Sequence, residues 1–155
     1  MADNAETIRQ LYEALDRHDG DAMAKLYAPD GRFHDPAFGT LSGAEAGDMW
    51  RMLTSRSDDL KVELAEHAAD GDEGSARWIA HYTFTRTGRP VVNDVRARFR
   101  FRDGLIADHR DAFSLTKWTR QAIGGPAGLV IGLPGLNQLL RRRARGDLAR
   151  FRDER

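Results

Sequence analysis

A carboxylate in an apolar stretch is the residue of this chain best suited to acid/base chemistry. Asp35 lies in FHDPAFG, residues 33 to 39, and Pro36 disfavours helix at the residue before it, so Asp35 should end an extended segment. Alternation along that segment puts Asp35 on the same face as Phe33. If that face is buried, desolvation raises the pKa of Asp35, and the carboxylate can accept a proton near neutral pH. The alternative is an Asp that caps the turn before Pro36.

A second pair of ionisable residues is predicted on the strand of residues 105 to 115. His109 and Asp111 are two residues apart, so they share a face, which also carries Phe113. The carboxylate would favour the imidazolium form of His109, and the pair could donate or relay a proton. The alternative is a solvated pair at the wet end of the sheet.

Alternation in the other segments extends this inward-facing set. Together with Asp35, His109 and Asp111, the predicted lining consists of polar and apolar side chains: Phe33, Trp50, Tyr82, Phe84, Asn93, Val95, Phe99 and Phe113. A few convergent polar groups among aromatic residues are typical of a small-molecule pocket. Tyr82 and Asn93 have an alternative interpretation as a satisfied cross-strand pair.

No metal and no cofactor are predicted. The chain has no cysteine, and His34, His81 and His109 lack any close ligand spacing. His81 is expected to face outward. No glycine-rich phosphate loop follows a predicted strand.

Length and charge restrict the class of protein. The 155 residues suffice for one domain with a real core, and the formal charge is zero. From Thr116 onward nine Lys/Arg stand against three Asp/Glu, so this tail carries +6 and the preceding residues −6. A basic tail on an acidic body does not favour nucleic-acid binding. The polar N-terminus lacks signal-peptide character, and Gly and Pro interrupt the most apolar stretch, so we expect a cytoplasmic protein.

Helical periodicity precedes strand periodicity along the chain. The pattern of residues 3 to 17 predicts an amphipathic helix. Asp21 is expected to cap a shorter second helix, which Pro29-Asp30-Gly31 ends. Ser42 and Glu45 predict a capping box at the start of a third helix. From Leu60 the period becomes two, which predicts an antiparallel meander with strands over residues 60–69, 75–86, 91–102 and 105–115.

The outward face of this meander is charged. Five arginines lie on this outward face and are interleaved with Asp94 and Asp108: Arg77, Arg96, Arg98, Arg100 and Arg110. Cross-strand charge pairing explains them better than phosphate binding, because acidic partners are present and stacking aromatics are not. With Ile79 and Ile106 exposed, this face would also suit an isologous homodimer.

The order of these elements resembles the nuclear transport factor 2-like superfamily over residues 5 to 115. The run ALDRHDGDAMAKLYAPDGRFHDPAFGTLSG, residues 14 to 43, is similar to the corresponding segment of ketosteroid isomerases and SnoaL-like polyketide cyclases. The resemblance implies an α+β cone: a curved antiparallel sheet packed on three N-terminal helices, around a hydrophobic cavity. It puts Asp35 at the position of the isomerase general base and Trp50 at an aromatic pocket position. His109 and Asp111 fall on the last strand, where SnoaL-like cyclases carry acid/base residues.

The chain departs from the isomerase pattern at both oxyanion-hole donors. The isomerase tyrosine falls at Leu11, with Tyr12 one place out of phase, and its protonated aspartic acid falls at Ala97. Loss of one such donor can cost about 3 kcal/mol of transition-state stabilisation, which argues against steroid isomerisation by the same arrangement. The superfamily also includes dehydratases, epoxide hydrolases and non-catalytic binding proteins.

The tail adds a helical extension to the predicted domain of residues 1–115. Within residues 116–155, a short helix containing Trp118 is followed by a break at Gly124-Gly125-Pro126 and by a basic amphipathic helix with Leu136, Leu139, Leu140, Leu148 and Phe151 on its apolar face. It could cover the open end of the cone, pack on a dimer partner, or, less favourably, contact a membrane surface. The functional expectation is a small hydrophobic or polycyclic ligand, bound either for cofactor-free isomerisation, cyclisation or dehydration, or for carriage without turnover.

Overall fold

A computed structural model describes residues 3–124 and 136–155. Its elements are α1 (Asn4–Asp16), α2 (Gly20–Ala24), β1 (Tyr27–Asp35), β2 (Gly39–Ser42), α3 (Gly43–Arg56), β3 (Lys61–Asp70), β4 (Glu73–Phe84), β5 (Arg89–Arg102), β6 (Leu105–Ala112), α4 (Leu115–Ala122) and α5 (Leu136–Asp153). The predicted α+β fold is confirmed: a curved, unclosed sheet packs on the three N-terminal helices, and a helix ends the chain.

The sheet has six strands in the order β2-β1-β6-β5-β4-β3. The meander from β3 to β6 is antiparallel, as predicted, whereas β1 pairs in parallel with β6. This pairing joins residues that are more than seventy positions apart, which a local pattern does not show. It makes β1 an inner strand flanked by β2 and β6.

The helix starts follow local capping chemistry. The Ser42 hydroxyl accepts the Glu45 N–H while the Glu45 carboxylate accepts the Ser42 N–H, so the predicted capping box of α3 is confirmed. The cap of α2 is Asp19, which accepts the Ala22 N–H at 3.0 Å, and the prediction of Asp21 was wrong. Asp21 instead lies in the first turn, where it pairs with Arg51 of α3.

Two strands near the site differ from the sequence prediction. β1 begins at Tyr27, so Pro29-Asp30-Gly31 lies within the strand rather than before it, and a break in register between Tyr27 and Arg32 accommodates the proline. β2 was not predicted; it forms a hairpin with β1 after a turn in which Gly39 has a φ of 72°. At the other end, strand β6 stops at Ala112, since Ser114 caps α4.

The outward face of the sheet carries the predicted charge pairs. Arg77 lies 2.8 Å from Asp94, and Arg110 lies 3.2 Å from Asp108. Ile106 is fully buried, so its predicted exposure was wrong; an irregularity in the β5–β6 register turns this side chain into the core. Ile79 is half-buried and His81 is exposed, the latter as predicted.

Both tail helices pack on the body of the same chain. The Gln121 side chain of α4 accepts the Val92 N–H and donates to the Val92 carbonyl. α4 thus packs on the part of β5 that precedes its pairing with β6. α5 packs on α3 through Leu148, which is 3% exposed. The predicted break at Gly125-Pro126 lies outside the described residues, and the division at residue 115 stays a prediction. Within residues 3–124 and 136–155, no helix is both long and apolar enough to cross a bilayer.

Candidate active site

Asp35 ends β1 and is 8% exposed. Its Oδ1 accepts the Phe38 N–H at 2.6 Å, so Asp35 does cap the turn that follows it. Burial nevertheless raises the pKa of Asp35 from 3.8 to about 7; the Phe38 amide opposes this increase, and the negative charge of Asp111 adds to it. The cap and the raised pKa, which the sequence presented as alternatives, therefore occur together because desolvation outweighs the hydrogen bond.

A hydrogen-bonded chain of four side chains lies beneath the sheet. The Trp50 indole N–H donates to the Tyr27 hydroxyl at 2.9 Å. The Tyr27 hydroxyl oxygen is 2.7 Å from His109 Nδ1, and His109 Nε2 is 2.8 Å from Asp111 Oδ1. His109 has no solvent exposure, and the other three side chains are all buried. The pair of His109 and Asp111 is therefore in the protein interior, so the alternative of a solvated pair at the sheet end was wrong.

The donors among these four side chains favour one tautomer of His109. An indole N–H can only donate, so the Tyr27 oxygen accepts from Trp50 and its own O–H needs an acceptor. Within the chain that acceptor is Nδ1 of His109. In this arrangement Nε2 carries the ring proton and donates it to Asp111. A proton on Nδ1 would instead leave the Tyr27 O–H without an acceptor among these four side chains, at the cost of a buried unsatisfied donor.

The parallel pairing of β1 and β6 brings Asp35 to this chain. Phe33 is opposite His109, and the register continues with His34 opposite Arg110, so Asp35 and Asp111 follow on the same face of neighbouring strands. The charge of Asp111 contributes to the raised pKa of Asp35, which agrees with this placement. The three residues predicted to be catalytic thus share one region of the interior.

Three of the eight predicted lining residues surround His109. The Phe99 and Phe33 rings lie 4.4 and 5.0 Å from the imidazole, centroid to centroid, and the Trp50 ring lies 6.4 Å away. Val95 is buried on the same face of β5, four residues before Phe99. Phe113, which follows β6, is half-buried against the core.

Tyr82 and Phe84 are at the far end of β4, where α4 covers them. The Trp118 indole N–H donates to the Tyr82 hydroxyl at 2.6 Å, and the Trp118 ring lies 5.2 Å from Phe84. The interpretation of Tyr82 and Asn93 as a hydrogen-bonded pair was wrong, because Tyr82 pairs with Val91 across the strands and its hydroxyl is used by Trp118. Asn93 is half-buried and opposite Ala80.

Three polar residues of the interior were not among the predicted site residues. Tyr27 lies in the segment predicted as the second helix, and only the pairing of β1 with β6 shows that it contacts His109. Tyr12 and Trp78 pack with ring centroids 5.3 Å apart. Within the described residues, the buried Tyr12 hydroxyl and Trp78 indole nitrogen have no hydrogen-bond partner. Burial, and to a lesser extent the charge of Asp111, raises the pKa of Tyr12 well above its usual value, so its hydroxyl stays protonated and can donate a hydrogen bond.

These features agree with the sequence family. A family model of the SnoaL-like domain matches residues 8–109, so the chain belongs to the SnoaL-like domain family. Comparison with curated protein sequences gives no match.

Solved structures share the fold at low sequence identity. A protein from Catenulispora acidiphila with a ketosteroid isomerase-like fold, in complex with trimethylamine, is 23% identical; the match covers 79% of this chain and 95% of that one, with a TM-score of 0.68. IdmH from Streptomyces antibioticus, a candidate polyketide cyclase, is 24% identical over 76% and 96% of the two chains, with a TM-score of 0.63. An LEH-like epoxide hydrolase of M. tuberculosis is 19% identical over 83% and 95%, with a TM-score of 0.66. These likenesses establish the nuclear transport factor 2-like cone fold, which hosts more than one chemistry.

Proposed function

We propose that this protein is a cofactor-free acid/base enzyme that moves a proton on a small hydrophobic or polycyclic ligand, as in isomerisation, cyclisation or dehydration. The observation that carries the proposal is Asp35, a buried carboxyl group with a pKa of about 7 beside a second buried carboxylate, Asp111. Perturbed carboxyl groups of this kind are frequent in sites that transfer protons. Near neutral pH, Asp35 can accept a proton and return it.

The surrounding groups have distinct roles in this proposal. Burial raises the pKa of Asp35 and the charge of Asp111 adds to the increase, while His109, held by Tyr27, donates to Asp111 and fixes its orientation. The unpartnered donors of Tyr12 and Trp78 are available to a ligand oxygen that gains negative charge as a proton leaves carbon. They supply hydrogen-bond donors in the interior even though Leu11 and Ala97 cannot.

The proposal is tested without knowledge of the natural ligand. Small cyclic ketones and enones are incubated with the protein in D₂O, and exchange of the protons next to the carbonyl group is followed by mass spectrometry. We expect exchange to increase as pH rises through about 7, since Asp35 must be ionised to act as a base. Asp35→Asn should abolish the exchange.

The matched control is Asp59→Asn. Asp59 is an exposed carboxylate that accepts hydrogen bonds from the Thr83 N–H and hydroxyl, and it has no part in the proposed site. This variant should retain the wild-type exchange rate. Ketones that bind the protein but show no exchange from pH 5 to 9 would contradict the enzyme proposal and favour the carrier.

A further inference from the structure

The turn that follows Asp35 is held from outside by the C-terminal helix. Arg141 Nε–H donates to the Pro36 carbonyl at 3.0 Å. Arg145 donates to the carbonyls of Phe38 and Thr40, each at 3.4 Å. The two arginines lie one helical turn apart on α5, so one face of the helix contacts three alternate carbonyls of the turn and β2.

α5 is itself fixed to the body of the chain. Leu148 is 3% exposed in the core, and Asp48 of α3 accepts hydrogen bonds from Arg152 at 3.0 Å and Arg155 at 2.6 Å. On another side of the helix, Asp147 lies 2.6 Å from Arg86. Because the helix is held at several points, Arg141 and Arg145 reach the turn from a fixed support rather than from a free surface.

We propose that Arg141 and Arg145 are positioning residues of the active site: by holding the backbone of residues 36 to 40, they keep Asp35 buried and correctly oriented. This inference rests on the proposed role of Asp35 as the proton acceptor. The holding segment begins at Leu136, beyond residue 109, where the match to the family model ends. The helix therefore lies outside the part of the chain that matches the family model.

Replacement of the arginines should change the pKa of Asp35 in opposite directions, depending on whether they position the turn or act only through their charge. Asp111 and His109 on β6 and the amides of Ala37 and Phe38 influence the Asp35 carboxylate directly, whereas the two arginines of α5 contact backbone carbonyls of the turn and β2. Burial is the largest cause of the raised pKa, so a loosened turn that admits water should lower it. Loss of a nearby positive charge alone would raise the pKa instead.

The test is the titration of the Asp35 carboxyl carbon by NMR in the full-length protein. We expect Arg141→Ala to lower the pKa of Asp35 by about one unit or more from its wild-type value, and Arg141→Lys to restore it only in part, because an ammonium lacks the planar guanidinium geometry. Arg143→Ala, at an exposed position of the same helix, is the matched control and should leave the pKa unchanged. If Arg141→Ala does not fold, Arg145→Ala replaces it, since it removes only the bonds to Phe38 and Thr40.

Each outcome has a separate meaning. A folded Arg141→Ala or Arg145→Ala protein in which the pKa of Asp35 is unchanged or higher overturns the positioning role. An ordinary pKa of Asp35 in the wild-type protein would instead contradict the proposed function, on which the inference depends. A decrease confined to the Arg141 and Arg145 variants supports the inference.

Discussion

Replacement of Asp35 by Asn should stabilise the protein at alkaline pH. The pKa of Asp35 is about 7 in the folded state against 3.8 for the unperturbed group. Between pH 3.8 and about 7, the folded protein therefore keeps a proton on Asp35 that the unfolded protein has released. Stability from this residue is therefore complete below pH 3.8 and is lost as the pH rises through about 7. At about 1.4 kcal/mol per pH unit over about three units, the ionised carboxylate costs roughly 4 kcal/mol at pH 8.

Asn keeps part of the local structure. Its side-chain oxygen can still accept the Phe38 N–H, whereas its NH₂ group brings buried donors with a cost of about 1 kcal/mol. The net gain at pH 8 should be about 3 kcal/mol, and at pH 4 the mutant should have no advantage.

Urea denaturation of both proteins at pH 4, 5.5, 7 and 8 measures this difference, and groups that titrate equally in both proteins cancel. The control is again Asp59→Asn, where hydrogen bonds from Thr83 lower the pKa of the carboxyl group and reverse the sign: this variant should lose stability at neutral pH relative to acid. A mutant at Asp35 that is less stable than wild type at pH 8 and equal to it at pH 4 would refute the desolvated-base argument, since only an ionised cap behaves in that way.

Four further outcomes are expected. Tyr27→Phe should cost about 1–3 kcal/mol in urea denaturation, because both hydrogen-bond partners of the hydroxyl stay buried without it. Asp111→Asn should lower the pKa of Asp35 in an NMR titration, since it removes a like charge. An unchanged pKa would show that the two carboxyl groups do not interact. Gln121→Ala should speed hydrogen exchange of the Val92 amide, which the glutamine oxygen now accepts, and unchanged exchange would contradict this. Light scattering should give a dimer mass if the charged outer sheet face, to which Ile106 does not contribute, mediates the predicted homodimer; a monomer mass at micromolar concentration would count against it.

Local chemistry made the fold predictable where partners are close in sequence. The Ser42–Glu45 capping box needs only three residues of separation, and the alternation of β5 is visible within the strand itself. The same reasoning failed at β1, because Pro29-Asp30-Gly31 has the composition of a turn, and only the pairing of the flanking Tyr27 and Arg32 with β6 makes it part of a strand. It also failed at Ile106, since strict alternation does not anticipate an irregularity in the register.

The candidate site shows the same division between local and distant information. Asp35, His109 and Asp111 could be chosen from the sequence, because each faces inward by simple alternation next to Phe33 or Phe113. Their hydrogen-bond partners could not be, because these come from distant elements: Trp50 of α3 determines which way the Tyr27 hydroxyl points, and that hydroxyl lies against Nδ1 of His109. The parallel pairing of β1 with β6 then sets Asp35 beside Asp111, so a single strand pairing brings the predicted residues together and adds the charge of Asp111 to the burial that raises the pKa of Asp35.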